Sequence, residues 1–176
     1  LALKAAGKLD RVRMLLLTNC TFDGLVYNVE RVMEECLAIK PDLVFLWDEA
    51  WFAFARFSPT YRQRTAMRTA NNLRKRLKSD AHKAAYAAQQ KTLAKATDAD
   101  LLDTRLIAPP DAHVRVYATQ STHKTLTSLR QGSMIHVNDQ DFKGEVEQSF
   151  HEAYMTHTST SPNYQIIASL DVGRRQ

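Results

Sequence analysis

The sequence predicts a three-layer α/β fold, with a mostly parallel β-sheet and helices flanking it. Short apolar runs, typical of buried strands, alternate with amphipathic helical patterns along the chain. The first two runs enclose a helix and are joined to it by short loops, which favours a right-handed βαβ unit with parallel strands. The chain has 176 residues, of which 44% are hydrophobic and 24% are charged, and this suits one globular domain.

The first βαβ unit is predicted near the amino terminus. Val12–Leu17 is a short apolar run that predicts a buried strand. Apolar side chains then recur at helical spacing over Val29–Leu37, and Lys40-Pro41 ends that helix. The continuous run Leu43–Trp47 indicates a second strand that is buried on both faces.

Two further strands are predicted in the second half of the chain. Val114–Ala118 and Met134–Val137 are apolar runs of strand length. Leu126 and Leu129 indicate a short helix between these strands, ending near Gly132. After the fourth strand we predict a helix, a polar turn and another helix, over Val146–Tyr154, Thr158–Pro162 and Tyr164–Leu170.

The segment Tyr61–Thr97 is predicted to be helical with a wide solvated face, because it is rich in Ala, Gln, Lys and Arg and contains no Gly or Pro. Residues 61–95 contain ten basic residues against one acidic residue, Asp80, and they alone make the net charge positive, at +5. A solvated face, a contact between subunits and a nucleic-acid patch all remain open. Only Tyr86 is aromatic in the middle of the segment, which disfavours binding of single-stranded nucleic acid.

The composition excludes several classes of protein. The apolar runs are much shorter than the roughly 20 residues that span a bilayer, so no membrane helix is expected. Two cysteines, Cys20 and Cys36, cannot form a disulfide framework and suit buried thiols in a reducing cytoplasm. The histidines lack ligand-like spacing, so no metal site is expected. We expect no signal peptide, and the missing initiator Met suggests a processed protein or a fragment.

Two ionisable residues follow predicted strands at the edge where open α/β sheets place their active sites. Asp48 comes directly after Leu43–Trp47, and Lys124 follows Val114–Ala118 through a short polar stretch. A lysine amine can condense with the aldehyde of pyridoxal phosphate, and a carboxylate can keep the pyridine nitrogen protonated. Hydroxyl and imidazole groups such as Ser121 and His123 can bind a phosphate. The pattern therefore predicts a pyridoxal phosphate site.

Five blocks of sequence also carry a family resemblance. They occur in the order Thr18-Asn19-Cys20-Thr21-Phe22-Asp23-Gly24, Asp48-Glu49-Ala50-Trp51, Ser121-Thr122-His123-Lys124, Gln131-Gly132-Ser133-Met134-Ile135-His136-Val137 and Thr158-Ser159-Thr160-Ser161-Pro162. Together they resemble the bacterial ornithine/lysine/arginine decarboxylases of the aspartate-aminotransferase fold. The resemblance covers about residues 11–172, apart from the basic segment. It implies that residues 1–176 are part of the large domain that binds pyridoxal phosphate.

The resemblance implies a role for each matching residue. Lys124 would carry the cofactor, and Asp48 would pair with its pyridine nitrogen. Ala50 would pack its methyl group against one face of the ring, with Trp51 nearby. The remaining roles are contacts with the phosphate by Ser121 and His123, and contact with the phosphate of a neighbouring subunit's cofactor by Ser159. The implied enzyme is a cytoplasmic homodimer or higher oligomer, with a shared active site, that acts in polyamine and amino-acid metabolism.

The sequence departs from the family pattern in two respects. No upstream phosphate-binding loop, ring-stacking histidine or carboxy-terminal small domain is found, so we expect the chain to be an interior piece of the large domain. Asp48 and Lys124 are also 76 positions apart, which is longer than usual in the family, so residues 61–105 are predicted to be a basic helical insertion.

The predicted reaction is the decarboxylation of arginine, lysine or ornithine to the corresponding amine and CO2. One alternative is another pyridoxal phosphate enzyme of the same fold, an aminotransferase or a lyase. A second alternative is a non-catalytic scaffold or nucleic-acid-binding module that uses residues 61–95.

Overall fold

The computed structural model describes residues 2–175 of the chain. The strands are β1 (Met14–Thr18), β2 (Val44–Asp48), β3 (Arg115–Ser121) and β4 (Ser133–Asp139). The α-helices are α1 (Ala2–Ala5), α2 (Val29–Ile39), α3 (Ala66–Leu77), α4 (Asp80–Leu93), α5 (Asp98–Asp103), α6 (Glu147–His157) and α7 (Tyr164–Gly173). Short 3-10 helices cover Leu9–Arg11, Ala53–Phe57 and Tyr61–Arg64, and a π-helical turn covers Phe142–Val146. No helix within residues 2–175 is long and apolar enough to cross a bilayer.

The four strands form one sheet in the order β1-β2-β3-β4. β1 pairs in parallel with β2, and β2 pairs in parallel with β3, so the predicted βαβ unit is confirmed. β4 runs antiparallel to β3. The α/β class with a mostly parallel sheet is therefore confirmed. In the register of the sheet, Asp48 lies between Thr18 of β1 and Thr119 of β3.

The hydrophobic core lies on one face of the sheet. Alternate residues of the central strands point to this face, and Phe45, Trp47, Val116 and Ala118 are buried there. α2 and α3 cover them with the core residues Met33, Leu37, Ala70 and Leu73. Burial of these side chains from water is the main favourable term that holds the two helices on the sheet.

The opposite face of the sheet is more open. Met14, Leu16 and Ile135 lie on it with exposed fractions of 50%, 61% and 40%. α6 reaches this face through Phe150, whose ring centroid is 6.1 Å from that of Tyr117 in β3. Within the described residues, the second helical layer therefore covers the sheet only near β3.

The basic segment divides into helices of different character. The prediction of a solvated face holds for α4, where His82 is the only buried residue. It is wrong for α3, which buries Ala70, Leu73 and Leu77 along one stripe. The buried residues have helical spacing, but Arg and Lys residues lie between them. The composition of the segment therefore predicts an exposed helix, although one face of it is apolar.

Arg74, Arg76 and Arg105 of this region bind groups in other elements of the fold. Glu34 of α2 is fully buried and accepts hydrogen bonds from Arg76 at 2.6 Å and from Arg105 at 3.1 Å. Arg74 donates to the carbonyl oxygen of Val114 at 3.1 Å, just before β3. A buried carboxylate is strongly destabilising when it loses its partners. These arginines therefore fasten the segment to α2 and to the sheet.

The connection between β3 and β4 is not helical, so the helix predicted from Leu126 and Leu129 is wrong. Residues 122–131 form turns and bends instead. The Leu129 N–H donates to the Ser169 hydroxyl of α7 at 3.0 Å, and Ser128 Oγ donates to the Leu129 carbonyl at 3.3 Å. Such bonds from side chains satisfy the backbone without a helix.

α7 packs directly against this connection, which we call the lysine loop (residues 122–132). A Cβ atom on Gly173 of α7 would collide with the carbonyl oxygen of Thr127. A Cβ atom on Gly132 would collide with the hydroxyl of Thr122, and it would lie 3.6 Å from Ile166 and 3.6 Å from Leu170 of α7. The close approach of helix and loop thus requires glycine at position 173, whereas a Cβ atom at position 132 would displace only the Thr122 side chain within the loop.

We predict that Gly173→Ala lowers the free energy of unfolding by about 1–3 kcal/mol, because α7 must move away from rigid backbone. Gly144→Ala is the matched control, since a Cβ atom there meets nothing within 4 Å. Denaturant titration of both variants measures the effect. Equal stability of the two variants would contradict the packing of α7 on the lysine loop.

Both cysteines are free and partly buried. Burial raises the pKa of the Cys20 thiol. Burial also raises the pKa of Cys36, and the negative charge of Glu35 raises it further. The thiolate is the reactive form of cysteine, so both thiols are poor nucleophiles near neutral pH.

We predict that Cys36 is alkylated slowly by iodoacetamide at pH 7–8, and that the midpoint of its alkylation rate against pH lies above the ordinary thiol pKa of 9.0. Because the unfolded thiol ionises first, the shift also removes stability as the pH rises through the alkaline range. Mass spectrometry of alkylation against pH, with the urea-unfolded protein as control, measures the shift. A lower midpoint in the folded protein than in the unfolded protein would refute it.

Candidate active site

Asp48 is the last residue of β2 and lies at the carboxyl edge of the parallel strands. Its Oδ1 accepts a hydrogen bond from the Ala50 N–H at 2.9 Å. Its carbonyl oxygen accepts from the Asn19 N–H at 2.9 Å, which ties it to the end of β1. The side chain lies on the open face of the sheet, and it is half-buried. One hydrogen bond thus fixes the Asp48 carboxylate, and the other fixes its backbone.

Lys124 lies in the exposed turn that follows β3. Its Nζ is 5.5 Å from the centroid of the Trp51 ring, which is within the range of a cation–π interaction. Trp51 is three residues beyond Asp48 in the sequence. The structure therefore brings the lysine loop over the segment that follows Asp48, and both lie at one edge of the sheet.

An aromatic side chain that the sequence analysis did not select also lies at this edge. Phe22 packs edge-on against Trp51, with ring centroids 5.1 Å apart. Phe22 is 83% exposed, and Trp51 is 39% exposed. Phe22 lies in the first of the sequence blocks that carry the family resemblance. Its membership of that block is the sequence signal that points to it.

His123 and Ser121 flank the lysine on the same stretch of chain. His123 Nδ1 lies 3.1 Å from the carbonyl oxygen of Gly132. A carbonyl oxygen only accepts, so Nδ1 carries the hydrogen in this assignment. Nε2 can then donate to a phosphate only when the ring is protonated. Ser121 is half-buried, and no side-chain hydrogen bond involves it within residues 2–175.

Ala50 and Ser159 are placed differently. Ala50 is half-buried directly after Asp48 and donates its N–H to the Asp48 carboxylate. Ser159 lies in the exposed turn between α6 and α7. Its hydroxyl is within 3.2 Å of the Ser161 carbonyl and 3.1 Å of the Ser161 N–H, so its bonds are local. Within the described part of the chain, no hydrogen bond joins Ser159 to the edge that carries Asp48.

A buried carboxylate next to Asp48 is the feature that the sequence analysis missed. Glu49 is fully buried, and its Oε1 accepts from Asn19 Nδ2 at 2.8 Å and from the Ala66 N–H at 2.7 Å. Its Oε2 accepts from Gln120 Nε2 at 2.9 Å. We call Asn19, Glu49 and Gln120 the strand-end cluster. Each is a polar residue where an apolar strand run ends, and that pattern could have identified it.

A family model described as "Orn/Lys/Arg decarboxylase, major domain" matches residues 2–108 and 101–176. Lysine decarboxylase LdcA of Pseudomonas aeruginosa is 34% identical over 168 residues, which are 96% of this chain and 17% of that protein. The biodegradative arginine decarboxylase of Escherichia coli is 34% identical over 160 residues, which are 89% of this chain and 16% of that protein.

The solved structure of lysine decarboxylase A from Pseudomonas aeruginosa matches with a TM-score of 0.52 and 32% identity. That match covers 93% of this chain and 16% of the solved chain. The chain thus spans about a sixth of the length of the relatives that it matches. The match of the family model over nearly the whole sequence decides the classification. The chain belongs to the Orn/Lys/Arg decarboxylase family, in the part described as the major domain.

Proposed function

We propose that this chain is part of the large domain of an enzyme that decarboxylates arginine, lysine or ornithine to the corresponding amine and CO2. The observation that carries the proposal is the position of Lys124 Nζ, 5.5 Å from the Trp51 ring at the edge where Asp48 ends β2. Relatives named as lysine and arginine decarboxylases support the choice of a basic amino acid.

The residues at this edge suit pyridoxal phosphate. Lys124 is exposed, and within residues 2–175 no carboxylate forms an ion pair with its amine. Oδ1 of Asp48 is already occupied by the Ala50 N–H, which leaves Oδ2 for a protonated ring nitrogen. When bound, the cofactor would supply an electron-accepting ring that stabilises the negative charge left by departing CO2.

Each residue of the chain has a defined task in this proposal. Lys124 would hold the cofactor aldehyde, and Asp48 would hold a proton on the ring nitrogen. Ala50 would contact one face of the ring through its methyl group. Trp51 would orient the lysine amine by the cation–π contact that it already makes. Ser121 and His123 would bind the phosphate, His123 through a protonated Nε2.

We extend the proposal to the assembly and its location. Ser159 would reach the cofactor of a neighbouring subunit in a homodimer or higher oligomer, which its exposed position in the turn after α6 allows. The two free cysteines suit a cytoplasmic location. An enzyme that makes amines from basic amino acids would act in polyamine metabolism. Residues 61–105 would be a basic insertion in the large domain. α4 and α5, which bury only His82 between them, favour this for the later part of the segment.

The full-length enzyme with pyridoxal phosphate provides the direct test. We expect borohydride reduction to lock the cofactor onto one peptide, and mass spectrometry to place it on Lys124. Release of CO2 from arginine, lysine or ornithine is the second expected result. Proton return at the α-carbon without CO2 would instead indicate an aminotransferase or a lyase. Steeply salt-dependent binding of DNA or RNA without cofactor uptake would indicate a nucleic-acid module.

We predict that Asp48→Asn lowers kcat/KM by about two to four decades. The variant keeps the acceptor for the Ala50 N–H but leaves a buried cationic ring without its anion, at about 3–5 kcal/mol. Asp42→Asn is the matched control, because Asp42 is exposed near the opposite end of β2 and pairs with Lys40. Steady-state kinetics of both variants give the comparison. Similar activity in both would exclude the role of Asp48.

A further inference from the structure

The strand-end cluster contains a buried carboxylate, Glu49, that is hydrogen-bonded to two side-chain amides. Packing alone does not require a charged group at this position. We propose that Glu49 is a positioning residue that holds the ends of β2 and β3 at the separation that Asp48 and Lys124 need. This inference rests on the proposed function, because the two residues are assigned there to the cofactor.

Three donors converge on the side chain of Glu49. Asn19 Nδ2, the Ala66 N–H and Gln120 Nε2 all donate to it, at 2.8, 2.7 and 2.9 Å. A carboxylate accepts at both oxygens, whereas an amide offers one acceptor and one donor. Glutamate therefore satisfies the three donors as they stand, whereas glutamine would require the Gln120 amide to turn over and His136 to change tautomer.

Glu49 is also a buried acidic residue that has no cationic partner within residues 2–175, where no lysine, arginine or histidine forms an ion pair with it. Its surroundings supply amide donors and the first N–H of α3, where the helix dipole favours a negative charge. Burying a carboxylate costs folding free energy unless both of its oxygens accept hydrogen bonds. An apolar residue would suffice if packing were the only purpose of the position.

The cluster continues into the next strand. Gln120 Oε1 lies 3.1 Å from Nε2 of His136 in β4. The bond from Gln120 to Glu49 fixes which end of the amide faces His136, so its oxygen must accept from the imidazole. Glu49, Gln120 and His136 thus connect three neighbouring strands in one directional chain of hydrogen bonds.

The position of the cluster relates it to the candidate site. Adjacent residues in a strand point to opposite faces, so Glu49 is anchored in the core side while Asp48 faces the open side. Gln120 directly precedes Ser121, where β3 ends and the chain turns toward Lys124. A shift between Glu49 and Gln120 therefore changes the distance between the two strand ends that carry Asp48 and Lys124.

The test begins with Glu49→Gln in the full-length holoenzyme. While Gln120 keeps its bond to His136, the new amide nitrogen would face the Gln120 amide nitrogen, donor against donor, and the strand ends would separate. We expect kcat to fall by about ten- to a hundredfold with a small change in KM, as for a displacement near 1 Å. We also expect less borohydride-trapped cofactor on Lys124 and a shifted pH midpoint of the visible absorbance of the bound cofactor.

A double variant, Glu49→Gln with Gln120→Glu, distinguishes two explanations of such a loss of activity. One is the displacement of the strand ends, and the other is the loss of the negative charge at position 49. In this exchange the new amide at position 49 accepts from Asn19 and Ala66 through its oxygen. Its nitrogen donates to the new carboxylate at position 120, which in turn accepts from His136. Every hydrogen bond of the cluster is rebuilt. We expect kcat, the trapped fraction and the absorbance midpoint to return to within about threefold of the unmodified enzyme.

Glu34→Gln is the matched control for general destabilisation, because Glu34 is equally buried but lies in α2 with arginine partners. It should lower the melting temperature without moving the absorbance midpoint. The inference is overturned if Glu49→Gln behaves in the same way, or if the double variant is as impaired as the single one. Failure to label Lys124 in the unmodified enzyme would overturn the proposed function itself, which is a separate result.

Discussion

The parallel pairing of β2 with β3 is the constraint on which the candidate site depends. Asp48 lies beside Thr119 in this pairing, although the whole basic segment separates them in the sequence. Parallel strands end at the same edge, so the pairing delivers Asp48 and the start of the lysine loop to one place. An antiparallel or shifted pairing would separate the acid from the amine, however well each strand was buried. The ordering of the long connection between the strands is the entropic cost of this arrangement.

The basic segment contributes to that pairing instead of standing apart from it. α3 lays an apolar stripe on the core face, and Arg74 binds the backbone just before β3. Arg76 and Arg105 neutralise the buried Glu34 of α2. A surplus of positive charge in the sequence thus reflects internal ion pairs in part. A cluster of positive charge in a sequence does not by itself identify a binding partner, because the same arginines can form ion pairs and hydrogen bonds inside the protein.

The strands were predictable because each is a short apolar run that matches the sheet, and the α2 pattern repeats at the spacing of a helix. Asp48 and Lys124 are predicted as site residues because each follows such a run. The role of α3 could not be found in the same way, since arginines surround its buried Leu73 and Leu77. The spacing of Leu126 and Leu129 predicts a helix in the lysine loop, and that prediction is wrong. Hydrogen bonds to hydroxyl groups and packing on α7 replace helical hydrogen bonds there. The end of an apolar run marks Glu49 as a polar residue at a strand end, but its burial is not predictable from the sequence, because its three donors come from distant parts of the chain.

The contact between Lys124 and Trp51 also gives the site an optical property. The chain contains two tryptophans, one buried in the core at position 47 and the other partly exposed beside the lysine. A positive charge 5.5 Å from an indole alters the electric field across that ring. Neutralising or relocating the ammonium would therefore change the fluorescence of Trp51 while Trp47 stays a constant internal reference. The arrangement that would prepare the amine for chemistry thus also makes its charge state observable by emission.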